Sequence, residues 1–199
     1  MNDVKGIILS TASRLFCTQG YHGTGLNQII KESGSPKGSL YHYFPNGKEQ
    51  LAAEAIAGVT TDSTTYFKQL FHQEDDLVSA FERMFSKQAE CFNESKNFSF
   101  GAWPIGLLSL EVSGESERIR EACDSYYDVI QCLWAEQLQS YGHTENESRQ
   151  IALSMIAMIE GAIILCCAQQ NAQPLLAIQP ALVKLIKRDR ASHPKGELL

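Results

Sequence analysis

The stretch from Leu26 to Leu51, LNQIIKESGSPKGSLYHYFPNGKEQL, contains two short amphipathic segments separated by a glycine. In the first segment Leu26, Ile29 and Ile30 have the i, i+3, i+4 spacing of one apolar helix face. Gly34 follows, and glycine accepts the left-handed conformation in which many helices end. The stretch therefore predicts a helix, a tight turn and a second helix.

The second segment combines an apolar anchor with an unusually polar and aromatic surface. Ser35 is expected to cap this helix and Pro36 to occupy its first position, where no amide partner is needed. Leu40 and Phe44 are four residues apart, so both can pack against the preceding helices. The other side chains are basic, hydroxyl-bearing, aromatic or absent: Lys37, Gly38, Ser39, Tyr41, His42 and Tyr43.

This polar surface is suited to nucleic acid. A lysine and exposed amides at the electropositive start of a helix attract phosphate oxygens, and Gly38 allows close approach of the backbone to another molecule. The alternative is an ordinary helical hairpin whose tyrosines are half-buried packing residues. Spacing alone leaves both interpretations open.

At these residues the chain resembles a known family. The runs PKGSLYHYF (36–44) and KEQL (48–51) resemble the recognition helix and the next helix start of TetR-family repressors. The first and second helices also match that family's pattern, through Phe16, Gly20, Tyr21, Thr24 and Ile29. Two later runs are similar to the LmrA/YxaF-like subgroup: Gly101-Ala102-Trp103-Pro104, and Ile159-Glu160-Gly161-Ala162 followed by Pro174-Leu175. Where that subgroup often has a cysteine, this chain has Trp103.

The resemblance implies an all-α protein in two parts. Residues 1–50 are expected to form a three-helix helix-turn-helix DNA-binding domain, and residues 51–199 a helical ligand-binding and dimerisation domain. The implied function is that of a homodimeric repressor that binds a palindromic DNA operator and is released by a small-molecule inducer. The sequence does not distinguish repression from activation.

Within the first domain, candidate DNA contacts fall into two groups. Lys37, Gly38 and His42 are expected to approach base edges. Contacts to the phosphate backbone are expected from Thr24, Ser35, Tyr41, Tyr43 and Lys48. Thr24 is also the predicted N-cap of the second helix, and Lys48 is assigned from the resemblance, with packing over its own helix as the alternative. Because the recognition helix has no Arg, Asn or Gln, sequence specificity is expected to depend on DNA shape.

Apolar periodicity predicts helices throughout the chain. Thr144 and Glu147 form a capping-box pattern at the start of a very apolar helix. The predicted helices run from about Val4 to Thr18, Lys48 to Leu70, Leu77 to Phe92, Trp103 to Leu110, Glu115 to Tyr141 and Thr144 to Gln170, with a loop over Glu94–Phe100. The two long helices after residue 114 are expected to pair with their copies in a two-fold four-helix interface, with Gly161 and Ala162 permitting close approach.

The family resemblance also implies a ligand pocket among the central helices. Aromatic and methionine side chains suit such a pocket. The predicted lining is Met84, Phe85, Gln88, Trp103, Tyr126 and Met155. For each of these residues, a place in the ordinary core is an equally good interpretation.

The net charge of −6 is distributed unevenly along the chain. Residues 1–50 carry five Lys/Arg and three Asp/Glu, whereas residues 51–183 carry seven and eighteen. The tail from Lys184 carries five and two. A mildly positive first domain on an acidic second one would orient the molecule towards DNA, although an acidic surface also aids solubility.

The remaining features exclude several classes. Six cysteines without a CxxC pair and five scattered histidines predict no disulfide framework, metal site, cofactor or catalytic constellation. The first residues lack the apolar core of a signal peptide, and no apolar run is expected to reach membrane-span length. A cytoplasmic, non-enzymatic protein with mostly buried thiols is predicted. A thiol-based regulator acting through Cys91 or Cys123 and an interaction module without a DNA partner are the alternatives.

Overall fold

The computed structural model describes residues 3–95, 105–112 and 114–187. Within those residues the regular structure is entirely α-helical, which confirms the predicted fold class. The helices are α1 (Val4–Gly23), α2 (Leu26–Ser33), α3 (Lys37–Tyr43), α4 (Gly47–Gln73), α5 (Leu77–Ser95), α6 (Ile105–Val112), α7 (Glu117–Ser140), α8 (Glu145–Gln169) and α9 (Gln173–Ile186).

The first helix is interrupted at Gly20, close to its predicted end. Gly20 has φ +74°, in the left-handed region that favours glycine, and the chain resumes one helical turn up to Gly23. An added Cβ at Gly20 would also lie 2.5 Å from a carboxylate oxygen of Glu111. The break therefore allows the first helix to end beside a residue of α6.

Helices α2 and α3 form the predicted helix-turn-helix, with caps that differ from the prediction by one residue. Gly34 ends α2 at φ +63°, as expected. However, Gly25 and Pro36 occupy the two N-cap positions that were predicted for Thr24 and Ser35, and neither cap bonds through a side chain. The N-cap predictions were wrong because both serine and threonine point into the protein instead.

The three N-terminal helices, here called the head (residues 3–44), pack around one cluster. Leu40 and Phe44 are fully buried, as predicted, in the same apolar core as Ile29 and the buried side of α1. Helix α4 then continues without interruption from the head into the remaining helices, here called the body. Its 27 residues span about 40 Å at 1.5 Å per residue, so a rigid element joins head and body.

The body is built around α4, α7 and α8, which pack against one another in that order. Helix α5 buries Leu77, Phe81, Met84, Phe85 and Phe92, and it extends to Ser95, one residue beyond the expected start of the loop. Helix α9 was not predicted, and it packs on both α8 and α5. The capping box of Thr144 and Glu147 is present as predicted.

Helix α8 is more apolar than the sequence interpretation allowed. Among the described helices it alone is long and apolar enough to cross a membrane, with mean hydropathy 2.3 over an 18-residue window. The prediction that no run reaches this length was wrong, because a single carboxylate, Glu160, interrupts an otherwise apolar stretch and leaves its mean hydropathy high. About a third of the window is buried inside the chain, so much of its apolar surface is uncovered.

Candidate nucleic-acid interface

Helix α3 presents one face to the head and the other to solvent. Tyr41 and Tyr43 remain 45% and 38% exposed, and Lys37, Gly38 and His42 are exposed as well. The opposite residues, Leu40 and Phe44, are fully buried. The tyrosines are therefore surface residues held on an apolar anchor, in agreement with the binding-surface interpretation.

The structure places two predicted phosphate contacts away from this surface. Thr24 is only 1% exposed, and its hydroxyl donates to the Gly20 carbonyl at 2.8 Å. The Thr24 amide donates to the Tyr21 carbonyl at 3.2 Å. Ser35 is also buried, and its amide donates to the Ser33 hydroxyl. Thr24 is thus engaged in the turn before α2 and the Ser35 amide in the turn after it, and phosphate contacts by these two residues stay predictions.

Lys48, at the start of α4, has an aromatic partner within the protein. Its Nζ lies 4.2 Å from the centre of the Tyr21 ring, a cation–π geometry. Burial lowers the pKa of Lys48, and the charge of Glu111 acts in the opposite direction. The packing alternative for Lys48 therefore describes this structure, although the partner is Tyr21 of α1 and not the lysine's own helix.

Two other cations of the head are engaged in ion pairs. Arg14 of α1 pairs with Glu32 of α2, and this contact holds the pKa of Glu32 below its usual range. Lys5 contacts Glu54 of α4 at 2.9 Å. Both pairs are substantially exposed, so they contribute little to stability but orient α1 relative to its neighbours.

A polar junction connects the head to α6 and α7. The Tyr21 amide donates to the Glu111 carboxylate at 2.6 Å. Next to it, His22 lies 3.4 Å from Glu115, and the Ser116 hydroxyl donates to Glu49 at the start of α4. The end of α1 and the start of α4 are therefore both tied to the segment that joins α6 to α7. Sequence analysis gave no signal for these contacts, because each joins residues at least 67 positions apart.

The predicted ligand-lining residues occupy the body core. Met84, Phe85, Gln88, Tyr126 and Met155 are all buried, whereas Trp103 lies outside the described residues. Burial and the nearby Glu160 raise the pKa of Tyr126 to about 12, so its phenol is neutral. These positions fit a pocket lining and an ordinary core equally well.

Beside these residues lies an aromatic cluster that sequence analysis did not assign to a site. The Trp134 ring contacts Phe67 at 5.2 Å and Phe81 at 5.0 Å, both edge to face. In the described part of the chain, the Trp134 indole N–H and the Tyr66 hydroxyl are buried without a hydrogen-bond partner. Such donors are rare in a folded core and are available to a polar group of a bound molecule.

Two surface clefts are found elsewhere in the described ranges. One, of about 480 Å³, lies between the end of α1 and α6 and ends at Glu111. The other, of about 310 Å³, is a shallow groove between α4 and α7 near Cys132. Neither is lined by a residue from the predicted ligand set.

The cysteines are less buried than expected. None of the six forms a disulfide bond in the described residues; Cys132 and Cys167 are exposed, and only Cys123 and Cys166 are buried. Burial raises the pKa of Cys123, so a smaller fraction of this thiol is ionised at neutral pH. In the described residues no group of three His, Cys, Asp or Glu side chains is arranged to hold a metal ion.

Comparison with known proteins identifies relatives over nearly the whole chain. Residues 8–55 match the profile of bacterial regulatory proteins of the tetR family, and residues 78–181 match the C-terminal domain of LmrA/YxaF-like transcriptional regulators. The HTH-type transcriptional regulator LmrA of Bacillus subtilis (strain 168) is 40% identical over 94% of this chain and 98% of its own. The uncharacterized HTH-type regulator YxaF of the same strain is 40% identical over 94% and 96%. The crystal structure of reduced Escherichia coli NemR has the same fold, with TM-score 0.80 at 23% identity over 92% of this chain and 96% of NemR.

Proposed function

Because this chain belongs to the TetR family and is a DNA-binding transcriptional regulator, we propose that it acts as a homodimeric repressor of the LmrA/YxaF-like type. In this proposal the dimer binds a palindromic operator and a small-molecule ligand releases it. NemR, a relative of this chain, is named a transcriptional repressor. The molecule is expected to act in the cytoplasm, where the operator is.

The exposed face of α3 is the observation that carries the proposed DNA contact. Tyr41 and Tyr43 are large side chains on a seven-residue helix, and they stay exposed beside Lys37 and His42. Leu40 on the reverse side fixes the helix, so the face is presented rigidly. A helix with this amphipathicity can enter a major groove with its tyrosine hydroxyls directed to phosphates.

Because Thr24 and Ser35 are buried, we leave them out of the DNA contacts that we propose. We assign the phosphate backbone to Tyr41 and Tyr43, and the base edges to Lys37, Gly38 and His42. Lys48 stays a proposed phosphate contact, with its ammonium over the Tyr21 ring in the DNA-free protein. Exposed Lys37 is therefore the main electrostatic contact of α3.

The uncovered face of α8 supports the proposed dimer. Leu153, Ile164 and Leu165 are 56%, 42% and 50% exposed. Space is open beside Gly161, with no atom within 4 Å of a Cβ added there. A second copy of the chain would cover this face, and closely packed helices at a two-fold axis favour small residues at such a position.

The exposure pattern favours α9, not α7, as the second helix of this interface. The solvent side of α7 carries acidic residues, which would face their own copies across a two-fold axis: Glu117, Glu121, Asp124, Asp128 and Glu136. Helix α9 packs on α8 and exposes Ala177, Pro180 and Ala181. We therefore propose a four-helix interface of α8 and α9 from each copy, in place of the two long helices α7 and α8.

Ligand release requires a difference in affinity between two conformations. A ligand in the body can weaken DNA binding only if it binds better to a body conformation whose head position does not fit the operator. The buried set Met84, Phe85, Gln88, Tyr126 and Met155 is the proposed ligand region. The junction at Glu111 and Ser116 is the contact through which a shift in the body would reach the head.

Selection of bound duplexes from random DNA tests the proposal. A homodimer with two copies of α3 is expected to select an inverted repeat whose half-sites are about one helical turn apart. Binding should weaken steeply with salt because phosphate contacts release counterions. Recovery of unrelated sequences with no symmetry, or of no DNA at all, would contradict the proposal.

A further inference from the structure

Helix α6 is held at its N-terminal end by a residue of α8. The Glu160 carboxylate accepts a hydrogen bond from the Tyr127 hydroxyl at 2.8 Å. It also accepts one from the backbone amide of Gly106, the second residue of α6. A Cβ at Gly106 would lie 2.7 Å from Glu160 Oε2, so the glycine is what allows the carboxylate to approach the helix end.

The other end of α6 is tied to the head. Glu111, the seventh residue of α6, accepts the Tyr21 amide and lies against Gly20. The Glu111 backbone carbonyl is 3.3 Å from His22 Nε2. Eight residues at 1.5 Å each span about 12 Å, so α6 is a short rod with a carboxylate contact at each end.

Packing alone does not account for an acid at position 160. The surrounding window of α8 is apolar, and burial raises the pKa of Glu160, whereas the Tyr127 and Gly106 donors act in the opposite direction. A hydrocarbon side chain of similar volume would avoid the desolvation cost of a carboxyl group. What a hydrocarbon side chain would lack is an acceptor for the Gly106 amide at the electropositive end of α6.

We propose that Glu160 is a positioning residue that fixes α6 and, through Glu111, holds the end of α1 and thereby the orientation of the head. The importance of this device for operator binding rests on the proposed function. The mechanical link between Glu160 and Tyr21 does not rest on the proposed function, since it is a property of the protein without DNA.

The link can be measured by residue-resolved amide hydrogen exchange of the full-length protein without DNA. Glu160→Met keeps the volume and removes the acceptor. This substitution should speed exchange at the Gly106 amide. It should also speed exchange at the Tyr21 amide, beyond the far end of α6, by about fivefold. That factor corresponds to the loss of a hydrogen bond of roughly 1 kcal/mol. Glu160→Gln retains an acceptor oxygen and should leave the Tyr21 amide close to the wild-type rate.

A second variant separates this effect from loss of stability. Gly106→Ala introduces a methyl group where the carboxylate lies, while alanine favours the helix itself. It should therefore displace Glu160 in a folded protein and again speed exchange at Tyr21. Glu136→Gln, which changes an exposed carboxylate on α7, is the matched control and should change neither amide.

The exchange rate of the Tyr21 amide in these variants can either support or overturn the proposed link. Faster exchange at Tyr21 in Glu160→Met and Gly106→Ala, with Glu160→Gln like wild type, supports the link even if the chain binds no operator. An unchanged Tyr21 amide in Gly106→Ala would overturn the proposal, because Glu160 would then act only on its own end of α6. A Glu160→Gln variant that behaves like Glu160→Met would overturn it as well.

Discussion

At the scale of single residues, the surface of α3 separates residues that hold the helix from residues that can bind DNA. Leu40 and Phe44 are buried, and Lys37 and Tyr41 on the other side are exposed. Substitutions on the two sides should therefore have different consequences. Substitution of an exposed residue should weaken DNA binding without lowering the stability of the protein. Substitution of a buried residue should lower that stability.

Lys37→Ala and Tyr41→Ala should each abolish tight operator binding while leaving the dimer intact. Loss of the exposed Lys37 cation from the DNA-facing surface should also make binding by Lys37→Ala less dependent on salt. The measurement is a gel shift at fixed salt, followed by a salt titration. Lys68→Ala, which removes an exposed lysine from the body part of α4, is the control and should bind like wild type. Unchanged affinity in both α3 variants would refute the assignment.

Leu40→Ala should destabilise the protein by about 2–5 kcal/mol, because it leaves a cavity where a fully buried side chain packed. Thermal unfolding followed by circular dichroism measures this change. Tyr41→Ala in the same helix is the comparison and should unfold close to the wild-type temperature. Equal losses in the two variants would mean that Tyr41 is a packing residue.

Sequence analysis succeeded at this scale where a local rule decides the outcome. The spacing of Leu40 and Phe44 is set by the helix itself, so their burial was predictable. The position of Lys48 over Tyr21 was not, because residues of two different helices meet only in the folded head. Thr24 was predicted to cap α2, but Gly25 occupies the N-cap position and the Thr24 hydroxyl donates to the Gly20 carbonyl instead.

At the scale of helices, the break at Gly20 sets how α1 meets α6. An L-residue at φ +74° is strained, and its Cβ would meet the Glu111 carboxylate. Gly20→Ala should therefore lower the free energy of unfolding by about 1 kcal/mol or more in chemical denaturation. Gly38→Ala is the matched comparison, since it lies in a helix with open space around it and should be neutral or stabilising. A stabilised Gly20→Ala variant would contradict the described geometry.

Helix α8 should carry the dimer interface, and α7 should not. A charge at the centre of an apolar interface is strongly unfavourable, so Ile164→Glu and Leu165→Glu should shift the dimer to monomer. Val129→Glu on α7, where the side chain is 37% exposed, should remain dimeric. Sedimentation velocity without detergent distinguishes these results. A wild-type chain that is monomeric under these conditions, or dissociation caused by Val129→Glu alone, would contradict the α8 and α9 interface.

The positions of most helices could be predicted from the sequence, whereas the way in which the helices pack together could not. Apolar periodicity located α5 and α7, and the capping-box pattern of Thr144 and Glu147 located the start of α8. Helix α9 was not predicted from the sequence; Pro180 lies inside it, and proline ordinarily breaks a helix. The predicted pairing of α7 and α8 with their copies stays a prediction, and the acidic outer face of α7 is the reason for proposing α8 and α9 in its place.

At the scale of the whole molecule, charge and rigidity act together. The acidic residues 51–183 are repelled by a duplex, whereas the head is mildly positive, so the molecule should approach DNA head first. Uninterrupted α4 and the polar junction around Glu111 transmit this orientation without a flexible linker. The division into residues 1–50 and 51–199 remains a prediction, and its boundary lies within the first turn of α4.

The most direct test is photocrosslinking to a duplex that the protein selects from random sequences. A photoreactive phenylalanine analogue is placed at position 41, at position 43 or, as control, at position 141, where a tyrosine of the body is 37% exposed. The account predicts covalent DNA adducts at positions 41 and 43 and none at position 141. A tightly bound duplex that crosslinks at position 141, or that fails to crosslink at both 41 and 43, would contradict it.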